Sequence, residues 1–222
     1  MKKILLFSVL IMSALFVSCS KGSDEVAPDF SPKTIEIGTS INVSGLSNLV
    51  SENEFVAKTS GNKVTAIHVG KTIVSDGDKS IQITVTGKYN ILNELKYDWG
   101  TSMSTIFASV NGTLYNKGTI SGNPYYDYKI IYSNCGDKSE LTGYMFKNNI
   151  LKYVSVICPI VYASEIVGFL KERYNMGVPK SGESAIGYNS NDINKATTYV
   201  SMKLNSSGDV VCDFFDAKYI SY

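Results

Sequence analysis

The chain has 222 residues, 21 basic and 20 acidic side chains and a formal net charge of +1. That balance argues against a protein held to nucleic acid by a basic excess. Apolar residues at 44% and charged residues at 18% exclude a generally disordered chain. One His, one Trp and four Cys leave few parts for metal binding or His-dependent catalysis.

The first element is an address. Lys2 and Lys3 precede an apolar run, Ile4 to Val17, broken only by Ser8 and Ser13. The run falls short of the roughly 20 residues that cross a bilayer and fits the core of a signal peptide, assigned to residues 1–18. Its end, Leu15-Phe16-Val17-Ser18-Cys19, resembles the lipobox of bacterial lipoproteins. The resemblance implies cleavage after Ser18, acylation of Cys19 and a lipid-anchored place on the outer membrane. Several acyl chains make a stable anchor where one is marginal. Residues 19–33 are polar, with Pro28 and Pro32, and read as a lipidated tether. Within it Ser23-Asp24-Glu25 resembles the acidic export signal of Bacteroidota-type surface lipoproteins, which implies exposure at the cell surface; a merely solvated linker is the alternative. Removing Lys2 and Lys3 with the signal turns the side-chain balance from +1 to −1.

Residues 34–89 hold short alternating runs: Thr34 to Ile37, Ser40 to Ser44, Phe55 to Ala57, Lys63 to Ile67, Lys71 to Val74 and Ser80 to Val85. Gly38, Gly45, Gly61-Asn62, Gly70 and Asp76-Gly77-Asp78 punctuate them, which predicts a small antiparallel sandwich. The series Phe55-Val56-Ala57, Gly61-Asn62-Lys63-Val64-Thr65-Ala66 and Val69-Gly70-Lys71-Thr72-Ile73 resembles the bacterial Ig-like group 2 domain. The segment is short and lacks that family's Trp-bearing strand, so the expectation is a trimmed sandwich acting as a spacer or adhesion module. His68 shares a face with Ala66 and, as a lone His, reads as structural or exposed. Asp76-Gly77-Asp78 reads as a turn, because a calcium site needs further spaced oxygen ligands.

Composition shifts at Tyr89: all fifteen tyrosines lie from there onward. A helix is predicted from near Ser102, with Met103, Ile106, Phe107 and Val110 on one face and a stop at Asn111-Gly112. A second begins near Ser164, with Ile166, Val167, Leu170 and Tyr174 on one face. Strands follow the first at 113–117, 125–133, 140–147 and 150–158, and the second at 176–180, 184–188, 197–204 and 210–219. The parallel order suggests a duplicated unit, about 95–160 and 161–222. The predicted class is therefore mainly β, α+β: an Ig-like β-sandwich followed by a duplicated helix-plus-antiparallel-sheet domain of two layers at 95–222. Element order, with Trp99-Gly100-Thr101-Ser102 opening the first helix, resembles the tandem fold of the β-lactamase-inhibitor proteins and the small outer-membrane assembly lipoproteins. No inhibitory or assembly residue carries over from it.

No catalytic motif stands out, and no cofactor, metal or nucleic-acid partner is expected. Cys135, Cys158 and Cys212 are odd in number, so at least one is unpaired within the chain, and the last two read as buried thiols. Alternation in the run 125–132 places Tyr126, Tyr128, Ile130 and Tyr132 on one face, which either packs under the helices or presents tyrosines to a partner. Tyr125, Tyr126, Tyr128 and Trp99 are the candidate contacts for a protein or glycan. The expected function is a non-enzymatic binding or adhesion module. The alternatives are a periplasmic enzyme inhibitor or assembly factor and, behind these, a hydrolase with an acidic site.

Overall fold

The computed structural model describes residues 30–92, 97–135, 138–178 and 184–219. The signal segment 1–18, Cys19 and the tether up to residue 29 lie outside the described residues. Among the described residues, no helix is long and apolar enough to cross a membrane. The described residues are mainly β and form three sheets.

Seven short strands come first: β1 (Lys33–Glu36), β2 (Ser40–Asn42), β3 (Val50–Ser51), β4 (Ala57–Ser60), β5 (Lys63–Ala66), β6 (Gly70–Ser75) and β7 (Ser80–Thr86). They form one sheet in the order β1-β7-β6-β3 and another in the order β2-β5-β4. Strand β1 lies parallel to β7, and the other pairs are antiparallel. Alternation explains the packing. Ile81, Ile83 and Val85 of β7 point inward and join Val74 of β6 and Val64 and Ala66 of β5 in a single core fed by both sheets. Gly61, at φ 60°, opens the two-residue turn between β4 and β5, where only glycine is unstrained. Strand β3 was not signalled, because two residues carry no period.

The second half comprises α1 (Met103–Ser109), β8 (Thr113–Thr119), β9 (Tyr128–Ser133), β10 (Leu141–Lys147), β11 (Ile150–Cys158), α2 (Ala163–Lys171), β12 (Asn175–Met176), β13 (Ala185–Tyr188), β14 (Thr198–Leu204) and β15 (Val210–Asp216). Its strands make one antiparallel sheet of eight in the order β12-β13-β14-β15-β11-β10-β9-β8. Each helix is followed in sequence by four strands, and the two sets meet where β11 pairs with β15. The last of the described strands thus lies in the middle of the sheet. Asn148 and Asn149, both at positive φ, close the β10–β11 hairpin.

Both helices cover the same face. Ile106 of α1 and Ile166, Phe169 and Leu170 of α2 share one core with Ile130, Tyr132, Phe146, Val154, Val156 and Phe214. Ser102 caps α1 by accepting a hydrogen bond from the Thr105 amide. Two details of the predicted faces are corrected. Phe107 is exposed, with the Lys117 ammonium 5.8 Å over its ring, because α1 is only two turns long and buries Ile106 alone. In α2, Phe169 is fully buried where Val167 was expected. Cys158 and Cys212 are buried thiols on the helix side, and burial raises the Cys212 pKa.

The β10–β11 register slips after Met145, so Lys152 is the extra residue of a bulge. Its ammonium is 3.0 Å from the Asp216 carboxylate and 3.9 Å from the Tyr219 ring centroid, and both charged side chains are almost fully buried. Removing one member strands the other in a dry site. Lys152→Met is expected to cost about 3 kcal/mol in denaturant unfolding, and adding Asp216→Leu to recover a large part of it.

Candidate functional site

Residues opposite one another on paired strands share a face, so the register maps the side of the large sheet that the helices leave bare. Three rows cross it. One runs Lys129, Met145, Tyr153, Phe215, Tyr199, Tyr188. The next runs Ile131, Gly143, Ser155, Asp213, Ser201, Ile186. The third runs Leu141, Ile157, Val211, Lys203. The middle row is built of short side chains at its centre, between a largely aromatic row and a largely aliphatic one, so it forms a trough. At one end of the trough lies a hollow of about 150 Å³ bordered by Ile131, Leu141, Gly143, Met145, Tyr153 and Ile157.

The rings interlock. Tyr126 stands 5.5 Å from Tyr153, and Tyr153 5.0 Å from Phe215, each pair tilted rather than stacked flat. The Tyr153 hydroxyl donates to Asp213 Oδ1 at 2.6 Å, and Ser155 donates to the same oxygen at 2.7 Å. Lys203 Nζ lies 3.5 Å from Asp213 Oδ2. The carboxylate is thus satisfied although only 4% exposed. Burial, and next the bond to Asp213, push the Tyr153 pKa up. Burial, and next the Asp213 charge, do the same to Tyr126. Both tyrosines therefore remain hydroxyl donors at neutral pH.

The four sequence-predicted contacts separate. Tyr125 is 47% exposed, at the rim of the bare face. Tyr126 packs on Tyr153, so it does not share a face with Tyr128 as the alternation suggested. The cause is local: Asn123 Oδ1 accepts both the Tyr125 and Tyr126 amides, and this turn interrupts the alternation before β9 begins. Tyr128, with Ile130 and Tyr132, packs on the helix side. Trp99 lies elsewhere, its indole N–H donating to Thr198 Oγ1 at 2.8 Å. It lines a cleft of about 410 Å³ between the small sheets and the large one, with Phe55, Lys71, Tyr174 and Arg173 among the other walls. The remaining members of the aromatic row, Tyr153, Phe215, Tyr199 and Tyr188, were missed. Each sits in a readable strand, but their alignment depends on cross-strand register.

Glu172, at the end of α2, joins the two halves. Its carboxylate accepts the Lys88 and Tyr89 amides, and its main-chain oxygen accepts the Val69 amide at 2.8 Å. Glycines at 87 and 168 leave the room this closure needs: a Cβ on Gly87 would strike the Glu172 carboxylate, and one on Gly168 the Tyr89 ring.

Among the described residues, no three His, Cys, Asp or Glu side chains come together. The chain matches no protein-family model and no curated protein by sequence.

His68 is held by the sandwich. Its Nδ1–H donates to the Phe55 carbonyl at 2.7 Å, and its ring stacks on Phe55 at 3.9 Å. Burial lowers its pKa below 6.5, against the opposing pull of the Phe55 hydrogen bond. The unfolded chain then binds the proton more tightly, so stability is full above that value and falls as pH drops through it towards the folded pKa. Thermal unfolding is expected to show this acid-side loss between neutral and mildly acidic pH, and His68→Phe to flatten it.

Proposed function

We propose that this chain is a lipid-anchored envelope lipoprotein that binds a partner without chemistry. Cys19 would carry the anchor, residues 19–33 the tether, and the small two-sheet unit an Ig-like stalk. The second half would be a duplicated unit of one helix and four strands, presenting its bare sheet face to a protein. Support for the duplication is the matching element order of the two sets. Support for exposure at the cell surface is the acidic segment after Cys19.

One observation carries the binding reading: the bare face combines a row of interlocked rings with an apolar hollow of about 150 Å³. A cavity of that size holds a benzene-sized group. Its walls are aliphatic and aromatic, and its rings are tilted, so it suits a buried Leu or Phe of a protein segment better than the flat face of a sugar. Tyr125 at the rim adds exposed contact area. An enzyme presenting such a segment would make the protein an inhibitor through the same face.

Two experiments separate anchor from binding. Cys19→Ala is expected to move the protein from the membrane to the soluble fraction, and continued retention would count against the anchor. A Cβ at Gly143 would meet Ile131 at 3.8 Å and Ser155 at 3.9 Å, so the position accepts a side chain without clash. Gly143→Phe should fill the hollow, leave the unfolding temperature nearly unchanged and weaken photo-crosslinked partner capture through Met145 roughly tenfold. Undiminished capture would overturn the assignment of this face, and a glycan response lost in the variant would reassign the ligand.

A further inference from the structure

We propose that the cleft between the two halves is a separate binding site for a neutral saccharide. The cleft, of about 410 Å³, falls in the size range of small-molecule sites, which favour junctions of this kind. Its charges cancel. Arg173 and Glu172 are both buried and lie 3.4 Å apart, so they answer each other. Asp98 and Lys71 remain at the mouth, one of each sign. A charged ligand therefore gains at one of them what it loses at the other.

The polar groups left over suit hydroxyls. Asp98, Lys71 and Asn53 are exposed at the lip of the cleft. Neither the Asp98 carboxylate nor the Lys71 ammonium has a partner among the described residues, so the two do not pair with each other. A carboxylate only accepts hydrogen bonds and an ammonium only donates them, whereas a hydroxyl does both. Asn53 spends its Oδ1 on the Phe55 amide, which leaves its Nδ2 to donate. One acceptor and two donors around one opening match the neighbouring hydroxyls of a sugar ring. On the bare sheet face, by contrast, the Asp213 carboxylate is already taken by Tyr153 and Ser155.

The aromatic wall is set in advance. Asn189 Oδ1 accepts the Thr198 amide at 2.9 Å, and the Thr198 hydroxyl accepts the Trp99 indole N–H at 2.8 Å. With its N–H spent, Trp99 offers the cleft only apolar ring surface, half-buried and fixed in orientation. Phe55, stacked on His68, lines the cleft from the small unit. Such rings take the C–H side of a sugar while the lip takes its hydroxyls. A wall held in place before the ligand arrives adds little ordering cost to binding.

Trp99, as the only tryptophan, reports on the cleft directly. The full chain, in a detergent without a sugar headgroup, is titrated with cellotetraose, maltotetraose and mannotetraose while tryptophan emission is followed at the red edge of excitation. At least one sugar is expected to give a saturable change that added salt leaves unaltered. Asp98→Ala and Lys71→Ala remove exposed side chains, so both should fold with an unchanged unfolding temperature. Each should weaken the binding roughly tenfold. Tetragalacturonate, which is charged, and benzamide, which lacks hydroxyls, should each bind at least roughly tenfold more weakly than the best sugar. A flat response to all the sugars, an equal response to tetragalacturonate or benzamide, or full binding by either variant would overturn the proposal. So would loss of the response in Gly143→Phe, since that would place the sugar on the bare sheet face.

Discussion

The arrangement of the two halves rests on Glu172. An acidic side chain at the carboxyl end of a helix is opposed by the helix dipole, and a buried carboxylate is costly unless it is bonded. Both penalties are met by the Lys88 and Tyr89 amides and by the neighbouring Arg173 guanidinium. Hydrogen bonds to a charged group contribute about 1.5–3 kcal/mol each, and they add to the burial of the connector's Ile91 and Leu92 in the larger core. The same residue uses its main-chain oxygen to hold Val69 at the end of the small unit. One residue thereby fixes the connector, the small unit and α2, and with them the walls of the cleft.

The large sheet is asymmetric for a simple reason. Both helices carry their apolar residues to one side, so all the burial available to them is used there. The other side must tolerate water, and its middle row does so with Gly143, Ser155, Asp213 and Ser201. Short side chains there lower the floor between taller rows. Asp213 draws Tyr153 and Ser155 toward it and so stiffens the floor. The trough follows from side-chain length and register alone.

Most elements were legible because period and punctuation agreed. The start of α1 near Ser102 and the alternation of Ile81, Ile83 and Val85 in β7 each announced themselves within a few residues. The misreading of the tyrosine run was local, and the larger failures depended on partners far along the chain. The tyrosine run 125–132 reads as one strand until Asn123 captures two amides, and then Tyr126 departs from Tyr128. The aromatic row is built from four strands, and no local pattern encodes that Tyr153 meets Phe215. The cleft was likewise hidden, since Phe55 and Lys71 meet Trp99 and Arg173 only after both halves are placed.

The place of β15 has a consequence for biogenesis. The last of the described strands to be synthesised is the one that closes the centre of the sheet, joining β14 to β11. Until it arrives, two interior strand edges stand open, each a template for mispairing. Synthesis and folding are therefore coupled in order: the large sheet cannot be finished before β15 is made, and a chain cut ahead of Val210 would lose the seam rather than a fringe. A check that synthesis has reached β15 is thus built into the topology.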